Sequence, residues 1–226
     1  VQKPGVRIIR DQWAAPQIIV NVSAYTSEEA IELFNTNKEL IMVAIEQAER
    51  DRVVRNTFRY ENREVAAEIK PIFGGSLHVP SGWKVRKLTR NFAWIQYDNR
   101  NSTQGLFIYR YPVEGDDMLC QNIIRNRNRV MKANVPGPDE GSYMKTAEFW
   151  KPKTEFLKYK GRSFAQTHAW WDLEGAYMGG PFVSHTFYSQ DGSEIIVVEA
   201  WVYAPKTNKR QLLRQTESLL YTWEWE

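Results

Sequence analysis

Cys120 is the only cysteine in the chain. A single thiol excludes an intrachain disulfide and a thiolate metal cluster, and it leaves the redox compartment undecided. Histidine is almost as scarce. The three residues His78, His168 and His185 have no metal-ligand spacing, so a site built from His168, His185 and a carboxylate is a weak expectation. No apolar run approaches the roughly 20 residues of a membrane helix. An excess of one charge is missing too. Thirty basic side chains against 27 acidic ones leave a net +3, too little to point to nucleic acid. Enzyme signatures are also absent: there is no G-x-S-x-G elbow, no H-E-x-x-H and no phosphate loop with its Lys-Ser/Thr. The expectation is a protein with no metal, no organic cofactor and no nucleic-acid partner.

Aromatic residues are abundant instead. Nine Trp, 11 Tyr and 10 Phe among 226 residues provide the buried area for a dense core, and their flat rings also suit flat ligands and sugar faces. Apolar residues at 42% and charged residues at 25% are ordinary for a globular chain. The length fits one large domain or two small interlocked ones. The sequence opens on Val1, and Val6-Arg7-Ile8-Ile9-Arg10 already reads as strand, so a cut inside or close to folded sequence is expected.

The hydrophobic period changes along the chain. A strand is expected over 17–24, then a T-x-x-E capping box at Thr26 and Glu29 and a long helix over 27–56. Its stripe is Ile31, Phe34, Ile41, Ile45 and Ala48. A second helix ends near Phe73 at Gly74-Gly75. Strands follow near 83–88, 92–98 and 104–112, then a third helix over 117–133. After the breaker Pro136-Gly137-Pro138 come strands near 153–160, 163–173, 181–190 and 194–204 and a final helix over 207–222. These segments give an α+β fold: antiparallel sheet units with about four helices packed on them. A strand ending in a tyrosine stop and feeding a helix recurs at Tyr25, Tyr111 and Tyr203, which suggests a weak internal duplication. One domain over 1–226 is expected, with possible halves 1–135 and 136–226 and no linker between them.

Several blocks together are similar to a known family. They are Gln12-Trp13-Ala14-Ala15-Pro16-Gln17, Pro80-Ser81-Gly82-Trp83, Phe92-Ala93-Trp94-Ile95 and Arg127 with Lys132. Pro136-Gly137-Pro138, Gly141-Ser142-Tyr143-Met144, Met178-Gly179-Gly180-Pro181-Phe182 and Val202-Tyr203-Ala204-Pro205 through Lys209-Arg210 complete the set. Over nearly the whole chain they resemble the Bacteroidota envelope lipoproteins catalogued as domain of unknown function 4837. The resemblance implies a periplasmic or outer-membrane-anchored protein, held at the membrane only by a lipid anchor ahead of this sequence. That family has no established activity, so it assigns no residue a role.

Four candidate features follow from the residues. Arg127 falls at the centre of an apolar helical stripe of Leu119, Cys120, Ile123, Ile124, Val130 and Met131. A buried guanidinium needs an internal carboxylate, or it anchors a ligand carboxylate or phosphate. Strand alternation leaves His168, Trp170 and Asp172 on one side of their strand and Glu199, Trp201 and Tyr203 on one side of theirs. If the strands are neighbours, these six share a face and make either a ligand or glycan site or an ordinary half-covered sheet surface. Lys206, Lys209 and Arg210 open the last helix, as an anion site or a solvated basic corner. Gly179-Gly180-Pro181 reads as a tight turn before a strand. The leading expectation is a non-catalytic envelope protein binding a ligand or another envelope protein. The alternative is a hydrolase of envelope glycan or peptide using Asp172, Glu174 or Glu199 as acid and base.

Overall fold

The structure, a computed structural model, describes residues 3–226. The chain forms two compact units, Val1–Asn56 and Thr57–Glu226. The first begins with an antiparallel hairpin, β1 (Gly5–Arg10) and β2 (Ile18–Ser23). Its loop is closed by the Gln17 N–H, which donates to Asp11 Oδ1 at 2.8 Å. Helix α1 (Ser27–Thr36) starts on the capping box. Thr26 Oγ1 accepts the Glu29 N–H at 3.2 Å, and the Glu29 carboxylate accepts the Tyr25 N–H at 2.7 Å.

The helix expected over 27–56 is in fact two. Helix α2 (Lys38–Arg59) is separated from α1 by Asn37, whose φ of −101° and ψ of 9° lie outside the helical region. The Asn37 amide donates to the Leu33 carbonyl at 2.8 Å, the local side-chain bond through which Asn interrupts helices. Of the five stripe residues, Ile41 and Ala48 are buried while Ile31, Phe34 and Ile45 are exposed.

The second unit takes in the last residues of α2 and continues with α3 (Arg63–Phe73), capped by the Asn62 side chain and ended by Gly74 at φ 67°, as the Gly-Gly signal implies. There follow β3 (Gly75–Ser76), β4 (Lys84–Leu88), β5 (Phe92–Asn99), β6 (Ser102–Pro112) and α4 (Cys120–Asn134). Then come β7 (Tyr143–Thr146), β8 (Lys153–Tyr159), β9 (Arg162–Glu174), β10 (Ala176–Tyr188), β11 (Glu194–Tyr203), α5 (Arg210–Leu220) and β12 (Glu224–Trp225). Eight strands make one antiparallel sheet in the order β4-β5-β6-β11-β10-β9-β7, with β8 also paired to β9. Strands β3 and β12 pair separately. The expected α+β class is what the chain adopts. Among the described residues there are five helices rather than about four, because the first expected helix divides.

Helix α4 covers one face of the sheet, where Met131 joins Phe107, Tyr109, Trp171, Phe182 and Trp201 in one buried cluster. Helix α5 covers the other, with Thr216 Oγ1 donating to Gln104 at 2.7 Å and Gln166 Nε2 donating to Tyr221 Oη at 3.1 Å. The meanders β4-β5-β6 and β9-β10-β11 each lead into a helix, which is the repeat visible in the sequence. A two-fold axis relating antiparallel β6 and β11 would stand normal to the sheet and leave both helices on one face. They lie on opposite faces, so the two meanders are not related in that way. The compact units divide at 56/57, and β6, ahead of residue 135, pairs with β11, which follows it.

Gly179-Gly180-Pro181 is not a turn. It lies inside β10, and the register irregularity falls between Ala176 and Gly179. Backbone proximity explains the glycines: a side-chain carbon on Gly180 would overlap the Val202 carbonyl oxygen across the ladder.

Candidate functional site

Arg127 is fully buried, as its place on the α4 stripe predicts. Its Nη2 donates to Glu199 Oε1 at 2.7 Å and its Nε to Oε2 at 2.9 Å, a forked pair with a carboxylate that is itself completely buried. Nη1 donates to Thr146 Oγ1 at 3.1 Å, and the guanidinium carbon sits 3.8 Å from the centre of the Phe182 ring. Tyr109 Oη donates to Glu199 Oε2 at 3.4 Å. Burial pushes the Glu199 carboxyl above the ordinary range, opposed by the Arg127 charge and the hydrogen bonds from Arg127 and Tyr109. Burial also raises the Tyr109 hydroxyl, with Glu199 adding to the shift. The arrangement is an internal ion pair tying α4 to β11, and both charges are committed to each other.

The six-residue face expected from alternation does not form. Strand β10 lies between β9 and β11, and the registers Val183↔His168 and Ser184↔Glu199 put the two sets on opposite faces. Glu199, Trp201 and Tyr203 share the α4 side with Thr167, Ala169 and Trp171. His168, Trp170 and Asp172 lie on the α5 side, so this expectation is corrected.

That second set still marks an open surface near the β7 edge. His168 is exposed and stands opposite Lys153 of β8. Trp170 is half-buried, and the exposed Phe149 from the β7–β8 loop places its ring 6.2 Å from Trp170. The loop is anchored by the Ala147 N–H, which donates to the Trp170 carbonyl at 2.8 Å. Asp172 faces Lys145 across the β7–β9 register. Lys145 Nζ lies 2.7 Å from Glu174 Oε2 and 3.3 Å from Glu148 Oε1, and these hydrogen bonds raise its ammonium above the usual range. The Asp172 carboxyl is pushed up by burial, and its Oδ1 has no hydrogen-bond partner among the described residues. Glu174 is held down by its hydrogen bond from Lys145. Phe149 and Lys145 escaped the sequence reading, although an exposed Phe-Trp pair in a loop ending at Pro152 was the available signal.

The basic corner is loosely organised. Lys206, with φ 61°, and Arg210 are exposed. The Lys209 Nζ donates to the Thr207 carbonyl at 3.4 Å, and Asn208 Oδ1 accepts the Arg210 N–H at 3.0 Å. A second buried guanidinium was missed by the sequence reading. Arg162 donates to the Leu220 carbonyl at the end of α5 at 3.1 Å and lies 4.7 Å from the Phe187 ring centre; burial lowers its pKa to about 10.

Residues 62–222 match the profile of the family described as Domain of unknown function (DUF4837). The chain belongs to DUF4837. Residues 1–58 match a second description, Domain of unknown function (DUF8532). The DUF4837 match is therefore narrower than the near-complete resemblance expected, and the Gln12–Gln17 block lies outside it. The two matches adjoin close to the division between the compact units, and every candidate residue above falls within the DUF4837 part. No protein with a curated description matches the sequence. Among solved structures, the Ran-binding protein Mog1p of Saccharomyces cerevisiae is similar at 8% identity and a TM-score of 0.42, over 67% of this chain and 90% of that one. LpqN of Mycobacterium tuberculosis, described as involved in cell envelope biogenesis, is similar at 14% identity and a TM-score of 0.37, over 65% of this chain and 79% of that one. Likeness this loose carries no functional argument for DUF4837.

Proposed function

We propose that this DUF4837 protein is a non-catalytic component of the bacterial cell envelope that binds a glycan or partner at the β7–β9 surface. The observation that carries the reading is the juxtaposition of Phe149 and Trp170 with Asp172. Two aromatic rings lie on the same surface as a carboxylate two residues along β9 from Trp170, whose Oδ1 is buried with no hydrogen-bond partner among the described residues. Aromatic faces take the apolar side of a sugar ring, and a neighbouring carboxylate accepts its hydroxyl or amide hydrogens. The envelope setting rests on the resemblance of the sequence to envelope lipoproteins. A bound fragment raises apparent thermal stability. Soluble peptidoglycan fragments and lipopolysaccharide-derived oligosaccharides are the probes. At least one should raise the melting temperature of the wild-type chain, with the shift lost in Trp170→Ala and Phe149→Ala. No shift with any fragment, or a shift unchanged in both variants, overturns the assignment.

A second reading has its own support. Asp172 and Glu174 lie two residues apart on one strand face, and their surroundings move their pKa values in opposite directions, as an acid and a base require. Turnover of a bound fragment that is abolished in both Asp172→Asn and Glu174→Gln, with binding retained, would favour a hydrolase.

A further inference from the structure

The aromatic pair at the β7–β9 surface sits at the edge of a local excess of negative charge. Asp172 and Glu174 lie on β9 beyond Trp170, and Glu148 lies in the loop after β7. Lys145 is the cation among them, and it forms its ion pairs with Glu174 and Glu148 rather than with Asp172. Burial raises the Asp172 carboxyl, Lys145 opposes the shift, and Glu148 and Glu174 add to it, so their fields reach this group. The next cation along β8, Lys153, stands opposite His168, on the other side of Trp170 from Asp172. The chain as a whole carries +3, so this attraction for a cation is local. The rings act in the same direction. Phe149 is 71% exposed, and its ring is tilted 56° to that of Trp170. Aromatic faces are the negative part of the ring quadrupole and attract an ammonium group. Trp170 and Asp172 share a strand face at a spacing of about 7 Å, which one sugar residue with its substituents bridges.

We propose, resting on the reading of this surface as a glycan site, that its ligand is an amino sugar with a free amine. The sugar ring lies on Trp170 and Phe149, and its ammonium group meets Asp172 and Glu174. A lysine side chain of a protein carries the same charge but offers no flat apolar ring face to two aromatic side chains, so the sugar is the better match. The test is isothermal titration of the whole chain with a glucosamine tetrasaccharide and with the same tetrasaccharide fully N-acetylated. The amine form should bind at least about tenfold more tightly, and the preference should shrink as salt is raised. Asp172→Asn with Glu174→Gln should abolish the preference, and Lys145→Gln should enlarge it, so the two charge changes move it in opposite directions. Either serves should the other fail to fold. Trp170→Ala should weaken both sugars. A wild type that binds the two equally, or prefers the acetylated form, overturns the free amine while the glycan site stands. Binding of neither also overturns it, and the glycan site falls with it only if peptidoglycan and lipopolysaccharide fragments give no thermal shift. A preference that survives Asp172→Asn with Glu174→Gln overturns the placing of the amine. Binding of a lysine-bearing peptide and of neither tetrasaccharide overturns the amino sugar in favour of a protein partner.

Discussion

At Arg127 a guanidinium with no exposure is matched by a carboxylate with none, and the pair is surrounded by Thr146, Tyr109 and the Phe182 ring. Taking both charges out of water costs several kcal/mol each, and only the forked geometry offsets it. Arg127→Ala should therefore cost about 3 kcal/mol, because it strands Glu199. In a chain of this size that lowers the melting temperature by roughly 6–12 °C. Arg127→Met fills the space but also strands the carboxylate, so it should destabilise too. The pH dependence has a defined sign. Glu199 has a folded pKa raised by burial, and loss of Arg127 raises it further. A raised carboxyl contributes stability below its unfolded value of about 4.3, and that contribution is lost as pH rises through the folded value. The deficit of Arg127→Met should be largest at neutral pH and shrink towards pH 4. Thermal melts across that range check it, and equal melting of variant and wild type at neutral pH would contradict the buried pair. The stripe position of Arg127 was legible because helical periodicity is local. Its partner was not, because Glu199 is reached only through a strand 72 residues further on.

Elements meet in this fold through close backbone approach as much as through side-chain volume. Gly105 on β6 faces Trp201 on β11, and the indole lies directly against its Cα, where a methyl group would overlap the ring. Trp201 in turn stacks on Phe107 with centroids 5.5 Å apart and meets Trp171 edge-on at 5.7 Å. Gly105→Ala must displace an indole that holds three strands together, so a loss of about 1–3 kcal/mol is expected from overpacking. Chemical denaturation should show a lower midpoint with an unchanged slope. Retained stability would mean that Trp201 has a second place to lie. Nothing in the local sequence announces this contact, since a glycine in a strand signals a close neighbour without saying which.

For the molecule, the two compact units differ in what they bury. Residues 57–226 contain the eight-stranded sheet and both helices that cover its faces. A chain starting at Thr57 should therefore fold alone, with one cooperative thermal transition and native near-ultraviolet dichroism. Residues 1–56 alone should give weak, non-cooperative signals, because a hairpin and helices with three buried side chains fall short of an independent core. A shortened chain that remains unfolded would show that the sheet needs residues before 57.

By itself the sequence determined the α+β class, the positions of most strands and helices, the capped start of α1, the αL end of α3 and the burial of Arg127. All of these rest on periods and caps read within a few residues of one another. Only the tertiary structure decided which strands are neighbours. With β10 between β9 and β11, a set of side chains that looked convergent splits across two faces, because alternation fixes facing within a strand and register alone fixes it between strands. The same limit applies to the helices. A stripe such as Ile31, Phe34 and Ile45 records that a surface is apolar, and the packed chain decides whether anything covers it.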